Sequence, residues 1–346
     1  MSDTNNPLAI RGIDFVEFTG PEPELFETLF RALGFSKTRR HKSAPIDYYN
    51  QEDIHFLVNR KDQGFAADFR DGHGPSICSM ALRVDDAAFA LAEAVRRGAK
   101  PARGESGADL DLPAIYGIGD SLVYFVDAFG EDGFLDKAFV ALDDPIEVPS
   151  TGFLSIDHLT NNVYKGTKET WADFYKDIFG FQEIRFFDIK GEKTGLTSYA
   201  LRSPCGTFSL PINEGDDEKS QIEEYLRDYN GPGIQHLALM THDLLDTLDA
   251  IDAEAIETLD IDDDYYEEVF ERVPNVTESR DRIRHHNVLV DGDEDGYLLQ
   301  IFTKNAIGPI FFEFIQRKNH KSFGEGNFTA LFKSIERDQE RRGVLD

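Results

Sequence analysis

The sequence predicts an α+β fold built as two similar halves, each a curled open sheet with helices on its outer side. Three observations carry that prediction: an internal repeat, glycines placed as helix stops, and a proline-bearing junction between the repeated parts. Near the start comes Gly12-Ile-Asp-Phe-Val-Glu-Phe18, followed by Leu29-Phe-Arg-Ala-Leu-Gly-Phe35. After Pro149 the same order returns as Ser155-Ile-Asp-His-Leu-Thr-Asn161 and Tyr175-Lys-Asp-Ile-Phe-Gly-Phe181. Each pair reads as a strand and then an amphipathic helix stopped by Gly34 or Gly180, the residue type that a left-handed helix terminus favours.

The later elements follow in the same way. Ser76-Ile-Cys-Ser-Met-Ala-Leu82 echoes Gly233-Ile-Gln-His-Leu-Ala-Leu239, with helical stretches expected next at Ala87–Arg97 and Leu244–Glu254. Ser121-Leu-Val-Tyr-Phe-Val126 is matched here with Tyr297-Leu-Leu-Gln-Ile-Phe302, both apolar strands. The strand–helix–strands unit therefore occurs four times, paired into halves that join across Asp144–Thr151, where Pro145 and Pro149 lie. The expected domains are residues 8–148 and 152–346. Charge-rich Glu214–Glu224 and Asp260–Glu268 read as loops or solvated helix faces, and Asp291-Gly-Asp-Glu-Asp-Gly296 as an acidic turn between strands. That turn lacks the spacing and terminal Glu of a calcium loop. Phe328, Leu331, Phe332 and Ile335 fall at helical spacing in Phe328–Arg342, so an amphipathic helix is expected to lie against the second half.

Composition narrows the function. The 346 residues carry 36 Lys+Arg against 65 Asp+Glu, a net charge of -29. Such a chain lacks the basic footprint of nucleic-acid or anionic-membrane binding. Hydrophobic content of 40% with 28 Phe is ample for packed cores. No apolar run approaches a membrane span, and the N-terminal residues do not read as a signal peptide, so a cytoplasmic protein is expected. Cys78 and Cys205 form neither a disulfide framework nor a metal knuckle, and Cys205 has no nearby His to activate it.

The differences between the halves point to chemistry. Where the first half has Phe15, the second has His158; where it has Ser79, the second has His236. A carboxylate, Glu313, interrupts the apolar strand Pro309-Ile-Phe-Phe-Glu-Phe-Ile315. An ionised Glu among Phe and Ile is costly to bury without compensation. Two neutral imidazoles and one carboxylate around a cation supply it, and that set with open positions is the facial triad of non-haem Fe(II) oxygenases. The bland reading, core histidines with backbone partners and a Glu paired to an Arg, stays open on these residues alone. His41, His55, His73, His242 and His320 read as structural or solvated. His285 and His286 are adjacent and on a strand would point to opposite faces.

The chain resembles the bacterial 4-hydroxyphenylpyruvate dioxygenases of the vicinal-oxygen-chelate superfamily along nearly its whole length. The resemblance is densest in Ile156-Asp-His-Leu-Thr160, Gly195-Leu-Thr-Ser198, Pro211-Ile-Asn-Glu214, Ser220-Gln-Ile-Glu223, Gly233-Ile-Gln-His-Leu-Ala-Leu239 and Leu298-Leu-Gln-Ile-Phe302. It continues in Gly308-Pro-Ile-Phe-Phe-Glu-Phe-Ile-Gln-Arg317 and Phe323-Gly-Glu-Gly-Asn-Phe328. The resemblance implies two vicinal-oxygen-chelate domains of paired βαβββ modules, the first non-catalytic and the second holding one Fe(II) per subunit on His158, His236 and Glu313. It implies catalytic-pocket roles for Gln235, Gln300, Phe302, Asn327 and Phe328, and substrate contacts from Ser198, Pro211, Asn213, Gln221, Phe311 and Phe323. Amides and a hydroxyl suit a phenol, and phenylalanines suit an aromatic ring, although Phe311 and Phe323 could be core.

The implied reaction is oxidative decarboxylation of 4-hydroxyphenylpyruvate with O2, coupled to ring hydroxylation, giving homogentisate and CO2 in tyrosine and phenylalanine catabolism. Phe323–Phe328 and the helix after it are expected to close the site as a lid. A homo-oligomer, dimer or tetramer, is expected, with the first half supplying structure and subunit contacts. Hydroxymandelate synthase uses the same substrate and ligands; Pro211 and Phe302 are the residue types of the dioxygenase. An extradiol dioxygenase would add acid–base His and Tyr residues, for which none of the other histidines is convincing. A metal-free binding protein on a related fold is the alternative from another class.

Overall fold

Each half of the chain folds into a sheet of eight strands. The computed structural model describes residues 5–102, 109–191, 193–252 and 254–345. In the first half the strands are β1 (Ile10–Thr19), β2 (Ser36–His41), β3 (Ile46–Gln51), β4 (Ile54–Asn59), β5 (Ser76–Val84), β6 (Ala114–Tyr116), β7 (Leu122–Val126) and β8 (Phe139–Ile146). They lie in the order β6-β7-β5-β1-β4-β3-β2-β8. The second half contributes β9 (Phe153–Asn162), β10 (Gln182–Lys190), β11 (Gly195–Arg202), β12 (Ser209–Gly215), β13 (Gly233–Thr241), β14 (Leu289–Gly292), β15 (Tyr297–Phe302) and β16 (Phe311–Lys318). Their order is β10-β11-β12-β9-β13-β16-β15-β14.

Read from opposite ends, seven strands of the two sheets match one for one. In each, two modules meet at an antiparallel central pair, β1 with β5 and β9 with β13. Each central strand is flanked on its other side by a parallel neighbour. The eighth strand breaks the match: β8 extends the first sheet beyond β2, whereas β14 extends the second beyond β15.

This topology corrects one strand pairing inferred from sequence. The partner of β7 is β16, because β7 lies parallel to β5 as β16 lies parallel to β13. Ser121–Val126 and Tyr297–Phe302 resemble each other only because both are buried, and burial makes apolar runs alike whatever their position. Two further expectations change. The helix after β13 covers only Leu244–Ala250. Its chain then turns extended at Ile251, and the Asp252 amide bonds to the Ala32 carbonyl of the first half. His285 ends a short helix, Arg280–His285, rather than lying on a strand; Ser279 starts that helix by accepting from the Arg282 amide.

Other local signals act as expected. The first helix, Pro23–Ala32, is followed by Gly34 at φ 82°, and Tyr175–Phe179 stops at Gly180 with φ 80°. Asp86 and Ser220 cap the helices Ala87–Arg96 and Gln221–Asp228. The acidic segment after Asp291 turns between β14 and β15, where the Asp293 amide bonds the Gly296 carbonyl. The last helix spans Phe328–Arg341 and lays Phe332 into the second half.

The halves are also joined to each other. The buried Gln51 at the end of β3 accepts the amides of Thr151, Gly152 and Phe153 at 2.9–3.0 Å on one oxygen and donates to the Leu33 carbonyl. His73, on the helix Phe65–His73, donates to the Tyr229 carbonyl at 2.8 Å and stacks on the Tyr229 ring. That gives His73 the structural role expected of it.

Candidate metal centre

The centre of the second sheet presents three side chains from three strands. His158 on β9 and Glu313 on β16 flank the same residue of β13, Ala238, which pairs with both. His236, two residues before Ala238 on β13, projects from the same face of the strand. Ligand atoms of His158, His236 and Glu313 all lie within 4.8 Å of one another. His158 Nε2 is 3.0 Å from Glu313 Oε2 and 3.3 Å from His236 Nε2, and His236 Nε2 is 3.6 Å from the same carboxylate oxygen.

Charge is balanced inside this cluster. Burial is the largest influence on Glu313 and would raise its pKa, but His158 and His236 outweigh it and hold the carboxyl down at about 2. Burial also disfavours the charged form of His158, yet Glu313 and Asp157 bring its pKa up to about 9. His236 is pushed down, chiefly by burial. Without an ion, then, a proton on His158 neutralises Glu313, where a cation could do so instead. Two imidazole nitrogens and one carboxylate oxygen at this separation fit a divalent transition metal with free positions. The orientation of His158 is fixed from behind, because Asp157 accepts from its Nδ1 at 2.8 Å and leaves Nε2 facing the cluster.

A cavity opens over this centre. Twelve of the residues singled out in sequence line it together with Glu313: His158, Ser198, Pro211, Asn213, Gln221, Gln235, His236, Gln300, Phe302, Phe311, Phe323 and Phe328. Amides and a hydroxyl gather on one side. Ser198 of β11 is registered opposite Asn213 of β12, and Gln235 Nε2 donates to Gln221 Oε1 at 3.4 Å. Rings gather near the two imidazoles. Phe311 stacks on His236 at 4.7 Å, and Phe323 stands edge-on to His158 at 5.5 Å. Both therefore face the site rather than a sealed core.

Asn327 is the exception. It is fully buried but stands behind the wall, where its Nδ2 donates to Gln300 Oε1 at 3.1 Å and its Oδ1 accepts from Tyr265 at 2.6 Å. Gln300 in turn donates to Glu313 Oε1 at 3.3 Å. Asn327 thus reaches the cavity wall through the Gln300 amide.

The structure adds residues that sequence reading missed. Thr160, Phe187, Ile189, Leu196, Leu331, Phe332 and Ile335 also line the cavity. Leu331, Phe332 and Ile335 carried a signal, since the apolar stripe of the last helix had to cover something. Thr160 carried one too, in the Asp-His-Leu-Thr run of β9. Its hydroxyl is buried without a hydrogen-bond partner among the described residues. Asp157 and Arg317 gave no periodic signal, and both stand outside the cavity wall.

Comparison with known proteins places the chain in context. Residues 4–140 match the family described as "Hydroxyphenylpyruvate dioxygenase, HPPD, N-terminal", and residues 155–301 the Glyoxalase/Bleomycin resistance protein/Dioxygenase superfamily. Protein MelA of Shewanella colwelliana is 59% identical over 100% of both chains. A 4-hydroxyphenylpyruvate dioxygenase of Legionella pneumophila is 44% identical over 99% of this chain and 98% of its own. Among solved structures, a xylose isomerase-like TIM barrel/4-hydroxyphenylpyruvate dioxygenase fusion protein superposes with a TM-score of 0.81 at 28% identity. That match covers 95% of this chain and 53% of the fusion.

Proposed function

We propose, from the premise that the chain belongs to the 4-hydroxyphenylpyruvate dioxygenase family, a complete reading of its chemistry. The protein is an enzyme that converts 4-hydroxyphenylpyruvate and O2 to homogentisate and CO2, as full-length identity of 44% to dioxygenases of that name supports. The observation that carries the site assignment is the convergence of His158, His236 and Glu313 beneath a cavity walled by amides and phenylalanines.

The metal is Fe(II), one per subunit, held by those three side chains. Bound there, it supplies the redox chemistry that activates dioxygen and the Lewis acidity that holds the 2-oxo acid. The protein does the rest. Phe302, Phe311 and Phe328 confine the aromatic ring, and Phe323 and Phe187 with Leu331, Phe332 and Ile335 keep water out. Ser198, Asn213, Gln221 and Gln235 hydrogen-bond the phenol end and hold the ring at a fixed distance from the metal ligands. Gln300 orients the carboxylate of Glu313, and Asn327 orients Gln300. Residues 152–346 form the catalytic unit and residues 8–148 a non-catalytic copy. The enzyme acts in tyrosine and phenylalanine catabolism, in the cytoplasm, as a homo-oligomer; no helix among the described residues is long and apolar enough to cross a membrane.

The test is anaerobic Fe(II) reconstitution followed by 4-hydroxyphenylpyruvate. A visible charge-transfer band, then oxygen uptake with homogentisate formation, is the expected result. Hydroxymandelate as product would instead assign the synthase reaction, against the residue types at Pro211 and Phe302. Full iron and activity in Glu313→Ala would overturn the ligand set.

A further inference from the structure

The segment that closes the cavity, residues 320–327, is tied at both ends to the metal ligands. At its far end the tie runs from Asn327 through Gln300 to Glu313. At its near end lies Arg317, the last arginine of β16. Its Nε and Nη2 donate to the two oxygens of Asp157, both at 2.8 Å. Its Nη1 donates to the carbonyls of His320 at 3.2 Å and Ser322 at 2.6 Å. Asp157 accepts from His158 on the same oxygen that takes Nη2. The guanidinium also lies 5.9 Å from the Phe323 ring, which itself stands edge-on to His158.

One planar fork thus reads two things at once, the position of the closing segment and the position of the carboxylate that aims His158. Both partners are nearly enclosed, with side-chain exposures of 13% for Arg317 and 8% for Asp157. A lysine could pair with Asp157 but could not hold a bidentate contact and two carbonyls together. Between the ties, Gly324 sits at φ 81°, and a Cβ there would overlap Gln300 Oε1, so the segment rests directly on the residue that holds Glu313.

We propose that Arg317 is a positioning residue that couples closure of segment 320–327 to the orientation of His158, with Asp157 as the link. The proposal rests on the reading of His158, His236 and Glu313 as a metal centre. Coupling between two sites is reciprocal, so metal binding should order the segment, and loss of the tie should weaken metal binding.

The probe is Co(II), titrated into metal-free protein by its visible spectrum. The readouts of segment order are tryptic cleavage at the exposed Lys318 and Lys321 and amide hydrogen exchange over 320–327. In the wild-type protein Co(II) should slow both about tenfold. Exchange in β12, which lines the cavity through Pro211 and Asn213, should respond less. In Arg317→Lys and Asp157→Asn, Co(II) affinity should fall about tenfold, within the range for losing a partner of a metal-bound histidine. Protection of the segment by Co(II) should fall below about twofold, and the Co(II) spectrum should shift. Gln316→Ala controls for destabilisation alone, since among the described residues the Gln316 side chain bonds only Leu244 and Glu278, and it should keep the protection.

Wild-type protection in folded Arg317→Lys or Asp157→Asn overturns the coupling and leaves the metal centre standing. Unchanged exchange over 320–327 in the wild-type protein on Co(II) binding overturns it as well, with no variant needed. A wild-type protein that takes up no Co(II) overturns the metal reading and this proposal with it.

Discussion

Seven strands of the two sheets match in order, yet the centres of the sheets are opposites. In the second, the row across β9, β13 and β16 reads His158, Ala238, Glu313, with His236 one step along. In the first, the equivalent row across β1, β5 and β7 reads Phe15, Ala81, Tyr124, with Ser79 one step along. There the concave face is filled. Phe15 packs against Tyr124 and Phe134 with ring centroids 6.0 and 6.2 Å apart, and no ligand cluster forms among the described residues. The place of Thr160 is taken by Glu17, fully buried, whose oxygens accept from Asn59 at 2.8 Å and Ser79 at 2.5 Å. One scaffold therefore supports either a packed core or an open cavity over a cluster of ligand-type side chains.

The contrast can be broken most severely at Glu313. Glu313→Ala leaves two imidazoles and no compensating charge, so iron content and oxygen uptake should fall by at least about 100-fold, beyond the usual cost of losing an outer partner. Metal analysis and oxygen electrode traces check this, and Tyr124→Phe at the matching position of the first half should leave both unchanged. Next in size is removal of residues 323–346. The cavity then loses its cover, and homogentisate formation should be abolished while iron still binds, weakened by about the same tenfold factor as Arg317→Lys. Unchanged turnover in that truncation would sink the idea that the segment closes the site.

Phe15→Ala probes the filled centre. It should cost about 3–5 kcal/mol in denaturant unfolding, as for other buried phenylalanines, without altering KM. If KM rises with it, the first half is not merely a packed copy. The smallest effect concerns Glu17. Burial raises its pKa above the ordinary 4.5, against the hydrogen bonds from Ser79 and Asn59. A carboxyl whose folded pKa is raised favours folding while it is protonated, and that contribution is lost as pH climbs through the folded value. Stability should decline with rising pH above about 4.5 in the wild type, and Glu17→Gln should flatten that slope; thermal melts from pH 4.5 to 8 measure it.

Much of the site was legible because broken repetition is visible in a single sequence. Phe15 against His158 and Ser79 against His236 occupy matched places, and the structure sets both pairs at equivalent strand positions. Glu313 was conspicuous as a charge in an apolar run. Its true counterpart, Tyr124, was hidden, because a buried strand between two others carries no alternation to fix which strand it matches. The helix Arg280–His285 was missed because its short, charged sequence buries only Ile283 and so lacks a periodic apolar face. Asn327 read as a pocket residue because its type fits one; only its bonds to Gln300 and Tyr265 place it behind the wall.

The sequence by itself determined the modular α+β architecture and the junction near residue 150, and it singled out His158, His236 and Glu313 as candidate ligands. Periodicity, glycine stops and a costly buried charge are local properties, written in consecutive residues. Tertiary structure alone decided that β8 and β14 cap opposite edges, and that Arg317 reaches Asp157 across 160 positions of sequence. It also decided that the segment after Arg317 rests on Gln300. Those features depend on the approach of distant side chains over a curved sheet, and hydrogen bonds at that separation leave no pattern in a linear chain.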